Sequence, residues 1–359
     1  MATRPSPRPD VAAIPRYVPG RRPTPRPGVT TYKLSSNENP FPPLPGVVEA
    51  VAEATVRSAS YPDPTCPDLY EALEHRHPGR DLLAATGSVA LIFHALLAYC
   101  RPGDEVVFAW RSFEAYPIAV AAAGATAVRV PLTADGRHDL DAMLAAVTDR
   151  TRVVMICTPN NPTGTTVSHS ELTAFLRELR DDVLVLLDEA YVEFVRDDDA
   201  VDAAAVLEEF EQVVVLRTFS KAYGLAGFRV GYAVGATEVL DPVRAVALPF
   251  GVTEVAQAAA VAALAAEDVA RVRIDALVSE RERVLAGVRA EGWELPVSQG
   301  NFVWFPGAGT VEALAAAAED LGIVVRAYPP DGVRVSIGVP EANDRIIGLA
   351  RTVRQVVDH

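Results

Sequence analysis

The sequence contains few cysteines and few lysines, and both shortages narrow what the chain can be. Its three cysteines, Cys66, Cys100 and Cys157, lie far apart among 359 residues. Their spacing matches neither a disulfide framework nor a metal site, so the sequence predicts no metal and favours a reducing cytoplasm. Only two lysines occur, Lys33 and Lys221, so chemistry that needs a side-chain amine has just two candidates.

Positive charge is scarce as well. The formal net charge is −14 and the sequence pI is about 4.9. Nucleic-acid binding requires a basic face or stripe, and the sequence contains none, so we predict no nucleic-acid partner. The acidic surplus aids solubility but does not specify a function.

Long apolar runs are almost absent. The stretch from Leu82 to Cys100 has no Asp, Glu, Lys or Arg over 19 residues, which is close to the length of a membrane span. It contains Gly87, Ser88 and His94, however, so a buried loop followed by a helix explains it better. The N-terminal "MATRPSPRPD" has no apolar segment after it, which argues against a signal peptide. We therefore predict a cytoplasmic protein without a membrane partner.

What the sequence does contain is a regular alternation of apolar runs and helical patterns. Apolar runs such as "RVVMICT", "VLVLLD" and "QVVVL" are separated by helices, which predicts an α/β fold with a mostly parallel sheet covered on both faces. The last third changes to an Ala-rich helical pattern and shorter strand-like segments. We predict an N-terminal arm over residues 1–45 that joins the small domain, a large domain over 46–250 and a small α+β domain over 251–359.

Three polar clusters follow apolar strands. They are Asn161 in "PNNPTG", Asp188 in "VLVLLDEAY", and Ser220 with Lys221 in "VVVLRTFSK". Ligands of open α/β sheets bind at the carboxyl ends of the strands, so we expect these clusters to share one site.

The charged residues of these clusters suggest a cofactor. Asp188 at the end of a buried strand needs a partner, which could be a cationic ring nitrogen, a metal, an arginine or a helix end that it caps. A lysine in a partly apolar site becomes a nucleophilic amine, although Lys221 alone could also extend to water. Arg229 suits a phosphate, or is a surface arginine. With the hydroxyls of Thr218 and Ser220, these groups fit a phosphorylated aldehyde, pyridoxal 5′-phosphate (PLP).

A series of motifs in order then resembles a known family. The motifs are "YPD", "TGS", "PNNPTG", "DEAYVEF", "RTFSKAYGLAGFRVG" and "VRVSIG". They resemble the fold-type I PLP-dependent aminotransferases, and among these the histidinol-phosphate aminotransferase family. "KLSSNENP", "AWRSFEAYPI", "NFVW" and "GVRVSIGVPEANDR" are similar to its actinobacterial aromatic amino acid (phenylalanine) aminotransferase branch. The resemblance implies a large domain with a mostly parallel seven-stranded sheet and a smaller α+β domain.

The resemblance also implies a role for each matching residue. Lys221 would hold PLP through a Schiff base and then act as acid and base. Asp188 would keep the pyridine nitrogen protonated, and Tyr191 would hydrogen-bond the ring oxygen. The other matching residues would contact the ring oxygen (Asn161), the phosphate (Ser88, Val89, Thr218, Ser220 and Arg229), the ring face (Phe113), and the substrate (Arg334, Asn161 and Arg326).

The family also implies a homodimer in which Tyr61 reaches the phosphate of the neighbouring subunit. Two departures from the family pattern are visible. Val89 and Ala90 are apolar where relatives often have an acidic residue, but a backbone amide at Val89 still suits phosphate. Phe113 stands where many relatives have tyrosine, so stacking is kept and a hydroxyl is lost.

The substrates implied are an amino acid and a keto acid. Arg326 matches a family arginine near the part of the site that takes the phosphate of histidinol phosphate, but arginine can also line an entrance. The apolar and aromatic motifs favour an aromatic L-amino acid, with 2-oxoglutarate as acceptor. Histidinol-phosphate transamination and PLP-dependent decarboxylation remain alternatives. A PLP-binding regulator is disfavoured because only about 30 residues precede "KLSSNENP", too few for a DNA-binding domain.

Overall fold

A seven-stranded sheet lies at the centre of the fold. The computed structural model of the chain describes residues 4–7, 9–12, 14, 16–21, 23–24, 27–307 and 310–357. The strands within this part are β1 (Tyr32–Lys33), β2 (Asp81–Ala85), β3 (Glu105–Trp110), β4 (Thr126–Pro131), β5 (Thr151–Cys157), β6 (Leu184–Asp188), β7 (Val213–Thr218), β8 (Gly231–Gly235), β9 (Phe302–Pro306), β10 (Ile323–Val324), β11 (Arg326–Tyr328) and β12 (Gly332–Ser336). In the central sheet they lie in the order β2-β8-β7-β6-β5-β3-β4.

Helices connect and cover these strands. They are α1 (Pro9–Ala12), α2 (Val47–Thr55), α3 (Pro67–Glu74), α4 (Ser88–Tyr99), α5 (Ala115–Ala123), α6 (Leu140–Ala145), α7 (His169–Glu178), α8 (Ala203–Glu209), α9 (Thr237–Val246), α10 (Glu254–Ala265), α11 (Glu267–Ala290), α12 (Val311–Asp320) and α13 (Pro340–Val357). None of the helices in the described ranges combines the length and the apolar character that crossing a membrane requires.

The central sheet is parallel except at one strand. β8 runs antiparallel to both of its neighbours, β2 and β7. β6 is buried over its whole length, because its apolar run packs against covering layers on both faces of the sheet. The predicted mostly parallel, seven-stranded sheet is therefore confirmed, and its parallel strands end together at one edge.

Two smaller sheets lie outside the central sheet. β11, β12 and β9 form a three-stranded antiparallel sheet, against which α11 and α12 lie, and α13 packs on these two helices. Near the N-terminus, β1 pairs with β10 in parallel, with Tyr32 opposite Ile323 and Lys33 opposite Val324. This pairing ties the segment after the predicted arm to the C-terminal part of the chain. The division at residues 45 and 250 stays a prediction, and residues 1–3, 8, 13, 15, 22, 25–26, 308–309 and 358–359 of its outer segments lie outside the described residues.

Local sequence signals account for several helix ends. Ser168 accepts a hydrogen bond from the backbone N–H of Glu171, whose side chain in turn accepts one from the N–H of Ser168, which completes a capping box for α7. α5 ends at Gly124, whose φ of 80° is left-handed and favours glycine. The Ala-rich stretch is two helices, α10 and α11, which meet at Ala266.

Candidate active site

A cavity of about 420 Å³ opens at the carboxyl ends of the parallel strands. Its wall includes every residue that the sequence assigned to the cofactor or substrate except Tyr61. These residues are Ser88, Val89, Phe113, Asn161, Asp188, Tyr191, Thr218, Ser220, Lys221, Arg229, Arg326 and Arg334. The three polar clusters after separate strands are thus brought together, as the strand pattern predicted.

Lys221 directs its amine into this cavity from the loop after β7. Its Nζ donates a hydrogen bond to the backbone oxygen of Ser36 (3.0 Å) and lies 5.7 Å from the centre of the Tyr191 ring. Within the described ranges, no carboxylate forms an ion pair with it. Burial, followed by the nearby positive charge of Arg334, lowers the pKa of Lys221 to about 7. A substantial fraction of this amine is therefore uncharged and nucleophilic at neutral pH.

Asp188 ends β6 with only 4% of its surface exposed. Its carboxylate accepts hydrogen bonds from the Tyr116 hydroxyl (2.7 Å) and from the backbone N–H of Ala190 (3.2 Å). Burial raises the pKa of Asp188, and these two hydrogen bonds act in the opposite direction. A buried carboxylate without a full ion pair favours a cationic ligand.

Asp188 is followed in the sequence by a second acid, Glu189, which faces away from the cavity. Glu189 lies one position further along the chain, where the alternation of side chains sends it to the other face of the sheet. There it forms a buried ion pair with Arg217 (2.6 Å). Asp188 lines the cavity and Glu189 does not.

Tyr191 and Asn161 both line the cavity and are both held by hydrogen bonds. The hydroxyl of Tyr191 accepts a hydrogen bond from Asn37 Nδ2 (3.0 Å), and burial raises the pKa of this phenol. The side-chain oxygen of Asn161 accepts a hydrogen bond from Nη1 of Arg334. Both side chains are buried, so the hydrogen bonds fix their orientation toward the cavity.

Arg334 is a buried cation on β12 without a carboxylate partner among the described residues. Its Nη2 donates to the backbone oxygen of Ser35 (2.8 Å), and its Nε has no hydrogen-bond partner in the described part of the chain. Only 6% of the residue is exposed. A buried guanidinium with an unused donor is suited to bind an anion such as a carboxylate.

The opposite end of the cavity is a cluster of donors around the start of α4. Gly87 precedes this helix with a φ of 85°, and an added Cβ there would lie 2.8 Å from Nη2 of Arg229. The guanidinium of Arg229 donates to Ser220 Oγ (3.3 Å). A helix N-terminus beside an arginine and hydroxyl groups is the usual arrangement for binding phosphate.

Phe113 and Tyr61 were both predicted to contact the cofactor, but they differ in their position relative to the cavity. Phe113 lines the cavity and makes an edge contact with the Tyr116 ring, their centres 5.7 Å apart. Tyr61 does not line it: 83% of its surface is exposed, and its ring stacks on Phe250 at 4.7 Å. Its predicted role in a neighbouring subunit stays a prediction.

Several cavity residues were not anticipated from the sequence. The main ones are Tyr17, Gly20, Ser35, Ser36, Glu114 and Tyr328 in the wall, and Asn37 and Tyr116 behind it. Tyr116 had a detectable signal, since it is a hydroxyl-bearing residue in an otherwise apolar helix three positions after Phe113. The N-terminal segment had none, because its approach to the cavity depends on the distant pairing of β1 with β10. No cluster of potential metal ligands occurs in the part of the chain that the structure describes.

Sequence comparisons agree with this geometry. A sequence model of the family "Aminotransferase class I and II" matches residues 30–348. An aromatic amino acid aminotransferase of Streptomyces avermitilis is 50% identical over 355 residues, covering 98% of this chain and 99% of its own. One from Thermobifida fusca is 50% identical over 343 residues, covering 95% of each chain.

Solved structures are similar over nearly the whole chain. A histidinol-phosphate aminotransferase from Sinorhizobium meliloti, in complex with pyridoxal-5′-phosphate, superposes with a TM-score of 0.85 and 28% identity, covering 97% of each chain. An aspartate aminotransferase from Thermus thermophilus, with maleate, has a TM-score of 0.81 and 23% identity, which supports the fold alone; it covers 91% of this chain and 92% of its own.

The predicted family and fold class are thus confirmed by independent comparisons. The family match spans most of the chain, and the relatives are aligned over almost their full lengths. The chain belongs to the aminotransferase class I and II family, with the fold-type I architecture of its structural neighbours.

Proposed function

We propose that the protein is a PLP-dependent aminotransferase that takes an aromatic L-amino acid as donor and 2-oxoglutarate as acceptor. The observation that carries the proposal is the position of the Lys221 amine. It lies in one cavity with the buried carboxylate of Asp188, the phosphate-type cluster at Arg229 and the guanidinium of Arg334, whose Nε has no hydrogen-bond partner among the described residues. The names of the Streptomyces avermitilis and Thermobifida fusca relatives support the aromatic donor.

The cavity residues fit PLP at each chemically distinct part of the cofactor. Arg229, Ser220 and the start of α4 would hold the phosphate. Asp188 has a buried negative charge for a protonated ring nitrogen, and Phe113 would cover a ring face. Lys221 would attach through its amine, which burial keeps partly uncharged. When bound, PLP supplies an electron sink that stabilises the carbanion left when the substrate loses its Cα proton.

The remaining steps belong to the protein's own side chains. Nζ of Lys221 would take the proton from Cα and deliver one to the cofactor carbon bonded to the substrate nitrogen, because a pKa near 7 allows the amine to act as base and as acid. Arg334 would hold the substrate α-carboxylate through paired N–H donors. Tyr191 and Asn161 would orient the ring oxygen. The arm residues Tyr17 and Gly20 also line the cavity.

The donor side chain would face a mainly aromatic and apolar part of the wall. Phe93, Phe113, Ile118 and Tyr328 contribute there, and the cavity can therefore bury a flat apolar ring. Arg326 also lines this region, which keeps histidinol phosphate as a second candidate donor. The similarity to a histidinol-phosphate aminotransferase structure points the same way.

A substrate panel tests the proposal. Half-reactions with phenylalanine, tyrosine and histidinol phosphate are followed spectroscopically through conversion to the pyridoxamine form. We expect the kcat/KM of phenylalanine or tyrosine to be highest, and a much higher value for histidinol phosphate would reject the aromatic donor. Identification of the product as a keto acid, and not an amine, separates transamination from decarboxylation.

Gly87→Ala should weaken PLP binding about 10–100-fold, the usual worth of one or two hydrogen bonds to a charged group. The added Cβ would press on Arg229 and displace its guanidinium from the phosphate. The measurement is the Kd of PLP for the apoenzyme by fluorescence titration. Gly46→Ala is the control, since Gly46 also precedes a helix with positive φ (78°) but faces open space. Equal Kd values for both variants would contradict the assignment of the phosphate end.

We also propose a homodimer in which Tyr61 completes the neighbouring site. Tyr61, Leu248 and Phe250 form an exposed apolar surface, with exposures of 83%, 66% and 42%. Surfaces of this kind suit a subunit contact. Cytoplasmic location is likewise retained as a prediction.

Mixing two inactive variants tests this subunit arrangement. Lys221→Ala and Tyr61→Ala chains should each have little activity alone. If Tyr61 acts across the dimer, random exchange restores about a quarter of the wild-type activity, because each mixed dimer has one complete site. Absence of recovery after exchange that mass spectrometry verifies, or an active monomer by light scattering, would contradict the arrangement.

A further inference from the structure

Two arginines face the cavity from neighbouring strands. Arg326 on β11 is directly opposite Arg334 on β12 in the antiparallel register. Side chains directly opposite each other in such a pair lie on the same face of the sheet, with Cβ atoms about 4.5–5.5 Å apart. The ring of Tyr328 is close to both, with its centre 5.4 Å from Cζ of Arg326 and 5.8 Å from Cζ of Arg334.

The two guanidinium groups differ in how their charge is balanced. Arg334 has no carboxylate partner among the described residues, and its Nε is unpaired. Arg326 forms a two-donor ion pair with one oxygen of Glu114, at 3.2 Å from Nε and 2.6 Å from Nη2. The side chains of this pair are mostly buried, with exposures of 12% for Arg326 and 27% for Glu114.

The position of Glu114 leaves its carboxylate available to pair with Arg326. It lies immediately before α5, next to Phe113, and its side chain forms no capping hydrogen bond to that helix. Its carboxylate instead bonds an arginine 212 positions away in the sequence. Both members of the pair line the cavity. The pair therefore forms part of the wall and is electrically neutral as a unit.

We propose that Glu114 is a specificity-determining residue: by neutralising Arg326, it favours donors with an uncharged aromatic side chain over donors with a carboxylate side chain. This inference rests on the proposed aminotransferase function and its assignment of the α-carboxylate to Arg334. A side-chain carboxylate that approaches Arg326 also approaches Glu114, so repulsion by Glu114 offsets much of the attraction to Arg326. An aromatic ring meets only the closed ion pair and the ring of Tyr328.

Glu114→Gln tests the proposal, because the amide keeps the size and one acceptor but removes the charge. The kcat/KM of the donor half-reaction is measured for phenylalanine, whose side chain is uncharged, and for glutamate, whose side chain is a carboxylate. We expect the ratio of the glutamate value to the phenylalanine value to rise about tenfold. An unchanged or lower ratio would overturn the role of Glu114.

The matched control is Asp331→Asn. Asp331 pairs with Arg111 (2.7 Å from Nε), whose Cζ lies 5.6 Å from the centre of the Tyr328 ring, but neither residue lines the cavity. This change also removes one negative charge near Tyr328. It should leave the ratio of glutamate to phenylalanine kcat/KM unchanged. An equal shift in both variants would show a general charge effect and overturn the proposal.

Arg326→Gln provides an independent second variant. It leaves Glu114 unbalanced, so the ratio of glutamate to phenylalanine kcat/KM should fall about tenfold below wild type. In the double variant Glu114→Gln with Arg326→Gln, the gain seen in Glu114→Gln should disappear, and its persistence would overturn the inference. A wild-type enzyme that transaminates neither phenylalanine nor tyrosine would instead reject the proposed function itself.

Discussion

Replacing Lys221 by alanine should lower transamination about 10²–10⁴-fold, the usual contribution of a positioned acid–base group. The variant loses both the amine that would hold PLP and the base that would move the Cα proton. Its binding of PLP should become noncovalent, so treatment with borohydride should no longer fix the cofactor to the chain. Peptide mass spectrometry after reduction measures this directly.

The scarcity of lysine gives this experiment an unusually clean control. Lys33 is the only other lysine, and its amine forms an ion pair with Glu38 (2.6 Å) away from the cavity wall. Lys33→Ala should therefore retain both the reducible linkage and activity. Fixation of the cofactor at Lys33, or a surviving linkage in the Lys221 variant, would refute the assignment of Lys221.

Replacing Asp188 by asparagine is expected to lower kcat about 10²–10³-fold, comparable to the loss of one preorganised electrostatic contact. Asparagine has nearly the same shape and can accept the hydrogen bond from Tyr116. It cannot balance a positive charge on a ring nitrogen. The apoenzyme should be as stable as wild type or more stable, because burial of an ionised carboxylate is costly. Single-turnover rates and thermal unfolding of the apoenzyme measure the two effects separately.

Glu189→Gln is the control for this second change. The side chain lies one position along the chain, on the other face of the sheet, in its ion pair with Arg217. Neutralising it should cost about 1–3 kcal/mol of stability and leave kcat close to wild type. If Asp188→Asn had the same profile, a lower stability with unchanged kcat, Asp188 would be a structural residue and the proposed ring contact would be wrong.

Three central strands and the polar residues that follow them could be predicted because their signals are local. β5, β6 and β7 are uninterrupted apolar runs, and polar residues follow each of them. α8 and α9 were not predicted. α8 has only seven residues after an acidic run, and α9 contains Pro242, which weakens a helical pattern. In both cases, packing against the sheet stabilises a helix that the sequence only weakly favours.

The parts of the site that could not be predicted depend on contacts between distant segments. Ser36 contacts Lys221, and Asn37 contacts Tyr191, from more than 150 positions away. The pairing of Glu114 with Arg326 spans 212 positions. No periodicity or spacing in one sequence specifies such partners. The resemblance to the family supplied residue roles, but not the hydrogen bonds that orient those residues.

The contacts between the segment after β1 and strand β12 have a consequence for biosynthesis. Ser35 and Asn37 follow β1 and bond to Arg334 and Ser336 of β12, which the ribosome makes about 300 residues later. At roughly 5–20 residues per second, the N-terminal segment waits about 15–60 s for these partners. The central sheet can form during that time, but the wall that holds Arg334 cannot. Catalytic competence is therefore acquired only near the end of translation, and a ribosome that stalls before β12 leaves a nascent chain without it.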